Sequence, residues 1–247
     1  MKVLGIDIGG SGIKAAPVDV ATGQLLEERE RILTPSPATP EKVGNAAKEL
    51  VEHFKWSGPI GIGFPGIISN QTIRTAANVD KSWIGCDGKT FFSELTGCPV
   101  RLINDADAAG LAEMKFGAGV GQRGSVLMLT AGTGIGSALF HNGHLFPNTE
   151  FGHIELHNKI AEKYAAASIR KTENLSWKAW GGRLNEYLQK MERLLAPDVI
   201  IVGGGISSKF EKFRPYLHPI ATILPASLLN NAGIVGAALA FAFHSEE

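Results

Sequence analysis

The chain has 247 residues, 44% hydrophobic and 19% charged, the make-up of an ordinary globule with enough length for one large or two small domains. Its 24 basic and 24 acidic side chains cancel, which excludes a general affinity for nucleic acid or for a membrane surface; a polyanion would need a local groove of cations. No apolar run approaches a membrane span, and the two cysteines, Cys86 and Cys98, stand in no metal-ligand spacing, so a reducing, cytoplasmic setting is expected.

The first element is Val3 to Lys14, VLGIDIGGSGIK. Its apolar run is broken by Gly9-Gly10-Ser11-Gly12 and resumes from Ile13 to Val18, which predicts a hairpin with a glycine turn. Without Cβ atoms, such a turn lets an anion approach backbone N–H groups. Ser11 adds a hydroxyl, Lys14 a point charge, and Asp7 a carboxylate able to hold a divalent metal through water. The stretch contains no GxxxxGK[ST] and opens no helix, so it is neither a P-loop nor a dinucleotide fingerprint. Gln24 to Leu33 is expected to extend the hairpin as a third strand. After the stiff connector TPSPATP, Pro40 starts an amphipathic helix with Val43, Ala46, Ala47, Leu50, Val51 and Phe54 on one face. Ile60 to Phe64 reads as a short strand ending in the turn Phe64-Pro65-Gly66. Asn78, Asp80 and Trp83 follow in a polar, irregular stretch, as loop surface or as ligand contacts. Lys89 to Leu95 reads as a helix stopped by Gly97. Val100 to Ile103 is a strand, and Asn104-Asp105 ends it where the helix Ala106 to Phe116 begins. Asp105 is there either as a helix N-cap or as a general base, taking the proton of a hydroxyl whose oxygen attacks a phosphoryl group. Asn104 offers a donor and an acceptor to neighbouring hydroxyls.

The second half repeats the scheme. The run Ser125 to Leu129 leads into TAGTGIGS, with Thr130 and Thr133 as hydroxyls and Gly132, Gly134 and Gly136 as the permissive positions. A turn at Asn142-Gly143 closes this strand pair. Two such loops favour two halves clamping one phosphate chain. Glu150, His153, Glu155, His157 and Glu162 lie in or after Asn148 to His153; their spacing selects no tetrahedral zinc set, but they suit hydrogen bonding to a polyhydroxylated ligand. The chain is expected to be helical from there on, carrying Lys159, Lys163, Arg170 and Lys171. Trp177, Trp180, Leu184, Leu188, Met191 and Leu195 form a core stripe. The strand Val199 to Val202 runs into Gly203-Gly204-Gly205, followed by Lys209, Lys212 and Arg214. Each basic group alone reads as a solvated face; together they offer a polyphosphate a train of cations more plainly than they offer adenine a slot. A strand near Ile223 and the Ala-rich helix Ala232 to Phe243 end the chain. The pattern predicts a small N-terminal α/β domain over 1–109, with a C-terminal helix over about 232–247 packing back on it. A larger α/β domain would span 110–231, with a ligand cleft between the two.

GIDIGGSGIK, GFPG, Asn104-Asp105, TAGTGIGS, EFGH and VGGGIS, in this order, resemble the ROK family of sugar kinases and repressors. TAANVDKSWIG, INDADAAGLAE, PNTEFGHIE and LSWKAWGGRLNEYL are most similar to the polyphosphate-using glucokinases within it. The resemblance implies a two-domain, actin-like (ribonuclease H-like) ATPase fold with the active site in the interdomain cleft. It implies transfer of the terminal phosphoryl group of inorganic polyphosphate, or in some members of ATP, to O6 of glucose with Mg²⁺, and a homodimer, with the helix around Trp177 and Trp180 as one candidate contact. By position, Asp105 would be the catalytic base. Asn78, Asn104, Asp105, Glu150, His153 and Glu162 would bind glucose. Asp7, Gly9, Gly10, Ser11, Gly12, Lys14, Thr130, Gly132, Thr133, Gly134, Gly204 and Gly205 would hold the donor, with Asp7 also reaching Mg²⁺ through water. Many members carry a CxCGxxGC zinc motif after the EFGH-type turn; it is absent here, so His153 is not carried over as a zinc ligand and no zinc is expected. The family's repressors have a helix-turn-helix domain before the first strand; Met1 opens directly into a strand, so neither that domain nor a signal peptide is expected. The rival readings are an ATP-dependent glucokinase or mannokinase and a sugar sensor without turnover.

Overall fold

Each glycine stretch is the turn of a hairpin that founds a sheet. In the computed structural model, which describes residues 1–243, β1 (Lys2–Ile8) and β2 (Ile13–Asp19) pair antiparallel with Ile8 opposite Ile13 and Asp7 opposite Lys14. Val3, Leu4, Ile6, Ile8, Ile13, Ala15 and Val18 are buried. The expected third strand is two short pieces, β3 (Gln24–Leu25) and β4 (Glu30–Ile32), both on β2. Pro17 explains the interruption. Its carbonyl accepts from Leu26 N at 2.8 Å, so the side of β2 facing this edge meets a residue without an N–H, and the ladder breaks there.

Helix α1 (Pro40–His53) starts at its proline and buries Val43, Ala46, Ala47, Leu50 and Val51. Strand β5 (Ile60–Phe64) lies parallel to β1, and the hairpin β6 (Ile68–Ser69) and β7 (Thr72–Ile73) follows it. Helix α2 (Gly88–Thr96) is capped by the Asp87 carboxylate and stopped by Gly97 at φ 70°. Strand β8 (Val100–Asn104) pairs parallel with β5 and passes straight into α3 (Asp105–Phe116), one residue earlier than expected. The sheet order is β3-β2-β1-β5-β8, with β4 also on β2.

The second sheet has the order β11-β10-β9-β14-β15. Here β9 (Ser125–Ala131) and β10 (Ile135–His141) flank the second glycine loop, and β11 (His144–Phe146) follows the turn Asn142-Gly143, where both φ values are positive. The stretch expected to be helical after His153 is instead a hairpin, β12 (Glu155–Leu156) and β13 (Lys159–Ile160), then two short helices, α4 (Glu162–Ala165) and α5 (Ala167–Thr172). Lys159 therefore sits on a strand. His157 and Asn158 make the hairpin turn at φ 53° and 59°. The helices break at Ala166, despite alanine's helix propensity, and Trp180 Nε1 donates to the carbonyls of Ala165 and Ala166 at 3.1 Å each.

Helix α6 (Trp177–Leu195) is capped by Ser176 and buries Trp180, Leu184, Leu188 and Met191. Fully buried, the Trp180 side chain belongs to the core and offers no surface to another copy, contrary to expectation. Strand β14 (Val199–Gly203) lies between β9 and β15 (Thr222–Pro225), parallel to both, and the short helix α7 (Phe210–Phe213) lies between β14 and β15 in the chain. Helix α8 (Ala232–Phe243) returns to the first sheet and packs on β1, β5 and β8. Gly61 of β5 permits the approach, because a Cβ there would collide with the Ala237 carbonyl. Of the helix expected over about 232–247, residues 244–247 lie outside the described residues. The chain divides into two compact units, Met1–Ala112 with the chain from Asn231 onward, and Glu113–Asn230. Among the described residues no helix is long and apolar enough to cross a membrane.

Candidate active site

In the first unit, the loop after β1 is pulled into a tight turn by Gly9 N donating to Gly12 O at 3.1 Å. Lys14 Nζ stands 3.0 Å from Asp7 Oδ2, the cross-strand pairing having set the two side by side. Asp7 is 15% exposed and packs on the first turn of α8, where a Cβ on Gly233 would stand 2.7 Å from its Cγ. Gly10 and Ser11 are exposed at the loop tip. Asn78 leans on that tip, its Cβ 3.2 Å from where a Gly10 Cβ would lie. Asn78 is thus beside the donor-loop candidates of its own unit.

Two residues not singled out in the sequence finish this loop. Arg31 Nη2 donates to Ser11 O at 2.9 Å, and its guanidinium covers Gly12 so closely that a Cβ there would meet Nε. Thr34 Oγ1 donates to Gly9 O at 2.5 Å. The signal for Arg31 was present, since a strand added to β2 places Arg31 opposite Lys14. Only its register was missing.

At the β8–α3 junction the cap is Asn104. Its Oδ1 accepts from Ala106 N at 2.9 Å and Asp107 N at 3.0 Å, and its Nδ2 donates to Gly66 O at 3.1 Å. Asn104 is 4% exposed, so its amide keeps at most one N–H for a ligand. Asp105 is the first helical residue, half-buried, with Oδ1 accepting from Ala106 N at 2.8 Å. The N-cap alternative for Asp105 is thereby filled by its neighbour.

In the second unit, Gly132 N donates to Gly134 O at 3.0 Å, repeating the closure of the first loop. Thr130 ends the β9 ladder opposite Gly203, and Thr133 is exposed at the tip. Helix α5 braces the loop: Ser168 N donates to Gly132 O at 3.0 Å and Ser168 Oγ to Thr133 O at 2.7 Å. Gly204 has φ 80° and packs on the backbone of Ala131, two reasons for glycine at that position, and Gly205 is exposed beside it.

The Asn148–His153 turn is pinned to β10. Ser137 Oγ donates to Thr149 O at 2.9 Å, Thr149 Oγ1 to Ser137 O at 2.8 Å, and Phe151 N to Ser137 Oγ at 3.1 Å. So positioned, Glu150 Oε2 lies 3.1 Å from His153 Nδ1. An Nδ1–H that donates to the carboxylate leaves Nε2 to accept from a ligand. Glu162 joins them: its carboxylate fills the space a Gly134 Cβ would take, its Oε1 is 3.6 Å from Lys163 Nζ, and its charge acts on Glu150. Glu150, His153 and Glu162 are thus one cluster against the second glycine loop. Glu155 and His157 belong to the hairpin beyond it, His157 Nε2 meeting Glu186 Oε2 at 2.6 Å.

Burial raises the pKa of Glu150, His153 opposes the rise through its charge and hydrogen bond, and Glu162 adds to it. An acid whose folded pKa lies above its unfolded value binds more protons when folded, so its ionisation weakens the fold as pH rises through that window. Glu150→Gln is therefore expected to raise the thermal midpoint at pH 7 relative to wild type, with the difference shrinking toward pH 4, while weakening sugar binding. Equal midpoints at pH 7 would rule out the strain.

Among the described residues no group of three or more His, Cys, Asp or Glu side chains is placed to hold a metal. Asp7 is a single carboxylate beside a phosphate-loop candidate, which fits a cation held by one protein ligand, water and the donor's own phosphates.

A model described as the ROK family matches residues 3–166. The chain is 50% identical over 237 residues to a polyphosphate glucokinase of Mycobacterium tuberculosis, covering 96% of this chain and 89% of the relative. The crystal structure of an inorganic polyphosphate/ATP-glucomannokinase from Arthrobacter sp. strain KM superposes with a TM-score of 0.96 at 46% identity, covering 98% of this chain and 99% of that one. A ROK family glucokinase from Streptomyces griseus, solved with glucose and AMPPNP, gives 0.82 at 25% identity over 96% and 98% of the two chains.

Proposed function

The chain belongs to the ROK family, with its two-domain actin-like ATPase fold, and we infer that it is a polyphosphate-dependent glucokinase. It transfers the terminal phosphoryl group of inorganic polyphosphate to O6 of glucose. The observation that carries this is the 50% identity to polyphosphate glucokinase along 96% of the chain. Asn104, by capping α3, leaves Asp105 at the helix start as the base that takes the O6 proton while the oxygen attacks the phosphoryl group. Glu150 and Glu162 accept from sugar hydroxyls, and His153 Nε2 accepts from another; the last N–H of Asn104 donates, and Asn78 contributes from beside the first loop. Gly9 and Gly132 close the two loops through their own N–H groups; the N–H groups of Gly10, Ser11 and Gly12, with Lys14, and those of Thr133 and Gly134, with the Thr130 hydroxyl, hold donor phosphates and offset their growing charge. Gly204 and Gly205 receive the far end of the donor. Asp7 would hold Mg²⁺ through water, and the ion, bound with the donor, would supply further neutralising charge.

The name of the Arthrobacter enzyme favours a second reading, a dual polyphosphate/ATP kinase that also accepts mannose. A coupled assay for glucose 6-phosphate decides between them, offering long-chain polyphosphate or ATP, each with glucose or mannose. Turnover with polyphosphate supports the first reading, comparable turnover with ATP the second, and sugar binding without turnover on any donor overturns both in favour of a sensor. A cytoplasmic location belongs to the same reading and is supported by the free thiols of Cys86 and Cys98. So does a homodimer, which sedimentation at micromolar concentration tests.

A further inference from the structure

Basic residues scattered along the second unit converge on one indole. Arg170 of α5 lies over the Trp177 ring, its Cζ 3.7 Å from the centroid, and Lys212 of α7 places its Nζ 5.8 Å from the same centroid. Phe213 stacks on Trp177 at 6.2 Å with the ring planes 18° apart. This assembly adjoins the second glycine loop, because the helix carrying Arg170 is the one whose Ser168 holds the backbone of Gly132 and Thr133. Lys212 follows Gly203-Gly204-Gly205 by way of Lys209, and Lys171 stands next to Arg170.

Two cations of the unit have a carboxylate partner: Lys163 has Glu162 and Arg183 has Glu173. Arg170, Lys171, Lys209 and Lys212 have no ion pair with a carboxylate among the described residues, and the buried Nε of Arg170 has no hydrogen-bond partner. A merely solvated face gives no reason for two unpaired cations from separate elements to share one ring. Stacking on the indole fixes the guanidinium before any ligand arrives, which lowers the ordering cost of binding. The same stacking occupies the ring, so an adenine would have to displace Arg170 to use it.

We propose that Arg170 and Lys212, held on Trp177 beside the second glycine loop, grip donor phosphates beyond the one transferred and so favour long polyphosphate over nucleotide. The proposal rests on the polyphosphate reading above and names where the tail of that donor lies. The test is Arg170→Gln/Lys212→Gln, with Lys212→Gln alone as a variant that leaves the stacked arginine in place. Lys42→Gln on α1 serves as a control for the loss of one charge. Binding of sodium polyphosphate of graded chain length and of triphosphate is titrated directly, and KM and kcat are measured with the same donors and with ATP.

The double variant is expected to raise KM and Kd for long chains about tenfold or more, with less effect on triphosphate or ATP and with kcat kept. The slope of log Kd against log salt should fall by about one per cation removed. Lys212→Gln should show a smaller shift in the same direction, and Arg170→Lys should restore part of the loss. Unchanged long-chain binding in the double variant, or an equal loss on every donor, overturns the proposal and leaves the polyphosphate reading standing. A wild-type protein that binds polyphosphate without turning it over overturns that reading instead, and the titrations still decide whether Arg170 and Lys212 hold the polyanion. No binding by wild type overturns both.

Discussion

Asp105→Asn is expected to lower kcat by roughly 10²–10⁴-fold while leaving the KM for glucose largely unchanged. The amide has the same size, and its oxygen can still accept from Ala106 N, as Oδ1 does at 2.8 Å. Asn104 keeps its cap on Ala106 and Asp107, so α3 should start at the same residue. What is lost is the ability to take a proton, and that ability matters only as O6 attacks. The split between kcat and KM is therefore the diagnostic, because a positioning defect would raise KM as well. Initial rates of glucose 6-phosphate formation, with polyphosphate saturating and glucose varied, read both constants. Turnover near that of wild type would remove Asp105 from the role of base.

What could be read from the sequence, and what could not, divides along a physical line. The glycine hairpins, the strand leading to Asp105 and the stop at Gly97 are written in neighbouring residues, because a turn's φ angles and a strand's alternation are local demands. The helix expected after His153 failed because tertiary contacts decided it: Trp180 draws the carbonyls of Ala165 and Ala166 out of the helical ladder. Arg31 was invisible as a loop residue until the register of β4 set it across from Lys14. The sequence offers Arg170 and Lys212 as parts of a train of cations, but nothing in it places both on Trp177, since that meeting depends on how α5, α6 and α7 pack. The roles of Asn104 and Asp105 could be told apart only by seeing which side chain reached the N–H of Asp107.

Glu113 is the sharpest case of an unreadable residue, and its replacement should have the largest effect on stability. In the sequence it is one more glutamate on a helix; in the structure it is 0% exposed and accepts only from backbone. Oε2 accepts from Ala118 N at 2.8 Å and Ser227 N at 3.0 Å, and Oε1 from Leu228 N at 2.7 Å. One carboxylate thus ties the end of α3 to the segment after β15, across 115 positions of chain. Backbone donors leave no mark on side-chain pattern, which is why no motif announces the clamp. Glu113→Ala leaves those three part-buried N–H groups without their acceptor. At about 1–3 kcal/mol for each orphaned group, partly relieved by relaxation and entering water, a loss on the order of 3–5 kcal/mol is expected. Against a typical total of about 5–15 kcal/mol, this is enough to leave much of the protein unfolded at 37 °C. Glu113→Gln should lose less, because its oxygen can serve one side of the clamp while its NH₂ faces the N–H on the other. Urea unfolding followed by tryptophan fluorescence should rank wild type above Gln above Ala in midpoint. Three coincident midpoints would mean that water replaces the carboxylate without loss, and that the clamp does not hold the fold.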